Sequence, residues 1–173
     1  MGDSFITIIA IVLAAVLMFI FPLMSMSDRT DDISQLTVQT ATTEFVDNVR
    51  TTGKLTLSDY SAFEQRVYST GNSFDIEMQL DSLDENPAKK TAQASQTKIG
   101  ENVYYTIYTS QILYAISSGD LMLKEGDMFS TSVKNTNTTL GQQLKNFFYT
   151  VAGNDTYTIA AEHGGYVTAN GNN

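Results

Sequence analysis

From Phe5 to Met24 the chain is almost unbroken apolar side chain, FITIIAIVLAAVLMFIFPLM, interrupted only by Thr7 and Pro22. About 20 residues rising 1.5 Å each make a rod of about 30 Å, the thickness of a bilayer's hydrocarbon core. In lipid such a segment is helical, because a helix satisfies its own backbone groups. The pattern predicts a transmembrane anchor over residues 1–27. A cleaved secretory signal fits less well. Met1-Gly2-Asp3-Ser4 carries no Lys or Arg, the apolar core is long, and Ser25-Met26-Ser27 is a poor small-x-small cleavage site.

Beyond the anchor the apolar positions take on a helical period. Ile33, Leu36, Ala41, Phe45 and Val49 recur at three- to five-residue steps, and Val38 and Val46 widen the stripe. Asp28, Asp31 and Asp32 suit a helix start, with Ser27 or Thr30 as its cap. Arg50 suits a last turn, and Gly53 a stop. Little but Pro22 separates this stretch from the anchor, so one long helix is expected, loosened or kinked near the proline. Residues 28–52 are then an amphipathic extension. Its stripe has two uses: covering the sheet of its own domain, and packing against neighbouring copies or other subunits.

Residues 53–173 read as an α+β head. Ser58 is a candidate cap for a helix with Tyr60, Phe63 and Val67 on one face, closed by Gly71. Phe74, Ile76, Met78 and Leu80 alternate with Asp75, Glu77, Gln79 and Asp81, which predicts a strand with one buried and one wet face. Residues 82–100 lack periodicity and predict a long loop. Val103, Tyr105 and Ile107 alternate like a strand, and 109–118 reads as a helix ended by Gly119. Leu121–Leu123 and Met128–Val133 look like strands flanking a Lys124-Glu125-Gly126-Asp127 turn. Thr139-Leu140-Gly141-Gln142 matches a capping box ahead of a helix lined by Leu140, Leu144, Phe147, Phe148 and Val151. Tyr157, Ile159 and Ala161 pair across Gly164-Gly165 with Tyr166, Val167 and Thr168 in a predicted terminal hairpin. The order implies an antiparallel sheet with helices packed on one side.

Charge and residue inventory narrow the chemistry. A net charge of −9, with Lys89-Lys90 the longest basic run, argues against a nucleic-acid partner. With no cysteine and a single histidine, disulfides, thiolate nucleophiles and most metal sites or acid–base dyads have no residues to build them. No catalytic, cofactor-binding or metal-binding residue is assigned, and an enzyme is not expected. Glu162-His163-Gly164-Gly165 resembles an esterase oxyanion loop only without the accompanying Gly-x-Ser-x-Gly elbow, so it reads as a polar hairpin turn. Asp120, Glu125 and Asp127 lack calcium-loop spacing and read as solvated turn carboxylates. Tyr104, Tyr105 and Tyr108 could offer a sticky patch for a sugar or a partner, but core packing is the expectation. Asn137-Thr138-Thr139 and Asn154-Asp155-Thr156 fit the glycosylation triplet.

An apolar amino-terminal helix running into an amphipathic one and carrying a small α+β head resembles type IV pilins and pseudopilins. It is closer still to Tad-class pilin-like proteins and to membrane-anchored proteins of secretion or conjugation machinery in Gram-positive bacteria. The resemblance covers the architecture of the chain, with its best local support in residues 5–52. It implies apolar helices that bundle within and above the membrane, heads that face outward, and partners that are copies of the chain or other apparatus subunits. Ala10, Ala14 and Ala15 are the small residues that would let helices approach closely, with Pro22, Ile33, Leu36, Phe45 and Val49 along the same assembly helix. Gly2 is the candidate processing site. Thr7 stands where the family has a glutamate, and no basic leader precedes the run, which implies an unprocessed or minor subunit. The other expectation, from a different class, is a monomeric domain for binding or adhesion, tethered by its anchor. The four-residue tail ahead of the apolar run places the amino terminus inside and the head outside the cell.

Overall fold

The computed structural model describes residues 2–83, 104–139, 141–143, 146 and 158–171. Helix α1, Gly2–Thr52, is a single helix of 51 residues that runs through Pro22. The proline lacks an N–H, so the Met18 carbonyl one turn earlier loses its helical donor. No second helix begins at Ser27 or Thr30. The Thr30, Ser34 and Thr37 hydroxyls instead donate to the carbonyls of Met26, Thr30 and Ile33, one turn back. Gly53 stops the helix at φ 65°, its N–H donating to the Val49 carbonyl.

The head is α+β. After α1 come β1 (Lys54–Leu55), α2 (Leu57–Tyr68), β2 (Phe74–Leu83), β3 (Tyr104–Tyr108), α3 (Thr109–Ser118), β4 (Leu121–Met122), β5 (Met128–Asn135) and β6 (Ala160–Tyr166). Four strands form an antiparallel sheet in the order β3-β2-β5-β6, and β1 pairs with β4 in a separate two-stranded ribbon. Thr56, not Ser58, caps α2: its hydroxyl accepts from Asp59 N–H, while Asp59 accepts from Thr56 N–H. Strand β2 keeps its alternation for ten residues, so Ser82 takes a buried position and Leu83 an exposed one. Both fall within the span expected to be loop; residues 84–100 of that span lie outside the described residues. Helix α3 covers the expected 109–118.

Two expected hairpins do not form. Leu121–Met122 pairs with Lys54–Leu55 rather than with β5. Gly164-Gly165 is not a turn, because β6 runs extended from Ala160 to Tyr166 against β5, with Gly164 opposite Ser130 and Gly165 opposite Phe129. The capping box at Thr139 is present. Its amide donates to Gln142 Oε1 at 3.0 Å and its hydroxyl accepts from Gln142 N–H at 3.1 Å. Of the helix expected beyond it, Leu140, Leu144 and residues 147–151 lie outside the described residues.

One face of the sheet builds the core. Phe74, Ile76, Met78 and Leu80 of β2 join Phe129 and Val133 of β5 beneath Val38, Phe45, Val46 and Val49 of α1, Phe63 and Val67 of α2, and Ile112 and Ile116 of α3. Phe45 is the hinge of this packing, stacked on Phe63 with ring centroids 4.3 Å apart and edge-on to Phe129 at 5.9 Å.

Candidate functional site

Helix α1 does two different jobs along its length. The window that qualifies it as long and apolar enough to cross a membrane has a mean hydropathy of 2.9 and contributes nothing to the core. Ala10, Ala14, Ala15 and Pro22 are all exposed along it, and Gly2 is its first residue. From Asp31 onward the helix lies on the head.

The amphipathic stripe divides there. Phe45 is 6% exposed and Val49 fully buried, whereas Ile33 and Leu36 are 64% and 65% exposed. Helical phase explains the split: Phe45 follows Leu36 by two and a half turns at 3.6 residues per turn, about 180°. The head-facing positions are Asp31, Ser34, Val38, Ala41, Thr42, Phe45, Val46 and Val49. Ile33 and Leu36 point away from them, into solvent, just beyond the apolar run.

The helix is fixed to the head by a line of polar contacts along β6. Gln35 bonds both backbone groups of Ala160. Asp47 meets His163 Nε2 at 3.1 Å and Arg50 Nη1 at 2.8 Å. Arg50 Nε donates to the Tyr166 carbonyl, and Thr168 N–H donates to the Arg50 carbonyl. A Cβ on Gly165 would lie 2.6 Å from the Arg50 guanidinium carbon, so the glycine makes room for that side chain. The hydrogen bond from His163, helped by the Arg50 guanidinium, holds the Asp47 carboxyl below its ordinary value against a smaller effect of burial. His163 is thus a mid-strand clasp residue rather than part of a turn.

Two of the three carboxylates considered for a metal, Asp120 and Asp127, are committed elsewhere. Asp127 is buried and accepts from the Ser82 hydroxyl, Leu83 N–H and Lys124 N–H, tying the end of β2 to the turn before β5. Asp120 pairs with Lys54 at 2.6 Å. Asn137 of the first glycosylation triplet is structural, accepting from Ser73 N–H and donating to Asn72; the second triplet, 154–156, lies outside the described residues.

The tyrosines are on the surface, not in the core. Tyr104, Tyr105 and Tyr108 are all exposed, with Tyr108 at 59%. Tyr108 stands at one wall of a groove of about 780 Å³ on the outer face of the sheet, whose floor carries Glu77, Gln79, Ser130, Ser132 and Glu162. No family model, curated protein or solved structure matches the chain.

Proposed function

We propose that this chain is a membrane-anchored structural subunit of pilin-like architecture, an unprocessed or minor component of a bacterial surface filament, secretion or conjugation apparatus. The apolar half of α1 spans the bilayer, the head stands outside the cell, and the exposed side of the helix packs against α1 of neighbouring copies or of other subunits. The observation that carries this reading is the division of the stripe. Ile33 and Leu36 are spared from the head's own core and continue the line of the apolar segment on the free side of the helix. Close approach in lipid falls to Ala10, Ala14 and Ala15. Chemistry plays no part in this role.

The chain has no native cysteine, so single cysteines report contacts cleanly. In native membranes, Ala14→Cys and Leu36→Cys should cross-link between subunits, and Ala14→Phe should weaken the Leu36→Cys product. Strictly monomeric behaviour of every variant would sink the assembly reading.

The outer-face groove beside Tyr108 supports a second reading, a tethered binding or adhesion domain whose anchor is only a leash. That reading predicts ligand retention indifferent to Ala14→Phe and sensitive to Tyr108→Ala.

A further inference from the structure

Where the apolar run ends, the head leaves a pocket against the helix. It has a volume of about 460 Å³ and lies between α1, the turn after α2 and the segment after β5. Leu23 and Met26 line its apolar end; Thr30 of α1, Thr70 and Thr138 contribute hydroxyls at its polar end. Asp31 closes one wall. It is 5% exposed and accepts from the Thr139 hydroxyl at 2.8 Å. Among the described residues, no Lys or Arg lines the pocket.

Its height along the helix is fixed by the geometry of α1. Ser27, another lining residue, lies about 4 Å beyond Met24 along the axis, and Asp31 about 10 Å beyond it. A bilayer's headgroup layer is about 5–8 Å deep on each side of the core. With the apolar run seated in the core, the pocket opens into that layer, its apolar end toward the acyl chains.

We propose that this pocket holds the headgroup of a membrane lipid, and that the headgroup is a neutral polyol, a hexose on diacylglycerol. The inference rests on the reading of α1 as a membrane span. The Thr30 and Thr70 hydroxyls give their protons to the Met26 and Val67 carbonyls and keep lone pairs that accept from sugar hydroxyls, and Leu23 and Met26 suit the glycerol and first methylenes. An anionic phosphate finds no cation among the described lining residues and meets the buried Asp31 carboxylate, which disfavours it.

The test uses the full chain reconstituted into three vesicle types: phosphatidylcholine alone, phosphatidylcholine with monohexosyl diacylglycerol, and phosphatidylcholine with phosphatidylglycerol. Flotation reports insertion, and amide hydrogen exchange at residues 70–72 and 137–139 reports occupancy. The expected result is flotation with all three and a several-fold slowing of exchange at those amides with the hexosyl lipid alone. Thr30→Phe, at an exposed position, should abolish the slowing, and Thr30→Val should reduce it. Equal exchange in all three vesicles, or slowing with phosphatidylglycerol alone, overturns the headgroup assignment and leaves the span intact. Failure to float with any vesicle overturns both.

Discussion

The side-chain amide of Gln35 makes the two hydrogen bonds to Ala160 that a neighbouring β-strand would make. Its Nε2 donates to the Ala160 carbonyl at 2.7 Å, and its Oε1 accepts from the Ala160 N–H at 3.0 Å. Among the described residues strand β6 pairs with β5 on one side only, and Arg50 closes the other end of its second edge at the Tyr166 carbonyl. An uncovered edge is a template for pairing with another chain, so helix side chains here stand in for a strand and blunt it. Replacing Gln35 with Leu should destabilise the head by about 1–2 kcal/mol, the net worth of two hydrogen bonds. Denaturant unfolding of the variant, with light scattering to follow association through the bared edge, checks both effects.

Arg50 and Gly165 should be energetically coupled. Gly165→Ala pushes on the guanidinium and should cost about 1–2 kcal/mol by breaking its bonds to Asp47 and Tyr166. In an Arg50→Ala background the same change meets nothing and should be close to neutral. A double-mutant cycle with a coupling below about 0.5 kcal/mol would show that the glycine is there for another reason.

Gly53 is less forgiving. A Cβ there would sit 2.2 Å from the Ala169 carbonyl oxygen, at a positive φ, and backbone cannot swing aside as an arginine can. Gly53→Ala should cost about 3 kcal/mol or more, or prevent folding of the head, as read by thermal unfolding.

The Asp47 clasp gives stability a pH signature. Its carboxyl is held below the ordinary value in the folded state, so the unfolded chain takes up the proton first as pH falls. The contribution is therefore present above about pH 4 and lost as pH drops through the lower folded value. With Asp47 half exposed, solvent screening keeps it small. The stability gap between the native chain and Asp47→Asn should be open at pH 6 and should close toward pH 2. A gap that stays constant across that range contradicts the assignment.

The two halves of the α1 stripe should respond differently to substitution. Phe45→Ala removes a ring packed between Phe63 and Phe129 and should cost about 3–5 kcal/mol. Ile33→Glu and Leu36→Glu should leave the unfolding midpoint of the head within experimental error, since neither side chain packs on it. Under the assembly reading the same pair should reduce inter-subunit cross-linking.

These contrasts mark what the sequence could and could not convey. Strand β2 and helix α3 were legible because local alternation and period agree with their burial. The stripe from Ile33 to Val49 reads as one face because each apolar step taken singly is close to a helical turn. Only cumulative phase at 3.6 residues per turn separates Leu36 from Phe45. Gly164-Gly165 looked like a turn because glycine serves both turns and close approaches. What decides between them is Arg50, more than a hundred residues earlier. Asp127 looked like a solvated turn residue, and nothing near it in the chain signals Ser82 as its partner. The tyrosines of β3 carry no local mark of which face they take.

The contacts from Gln35 to Arg50 meet β6 in the same order, from Ala160 to Tyr166. Helix and strand therefore run parallel, about 22 Å of helix alongside about 20 Å of strand. Tension between the apolar half of α1 and the residues after Val167 would pull the two elements in opposite directions along their length. Every bond of the clasp would then be loaded together in shear, as rivets along a lap joint are, rather than peeled open one by one. A head held to α1 in this way resists traction best along the line of the helix.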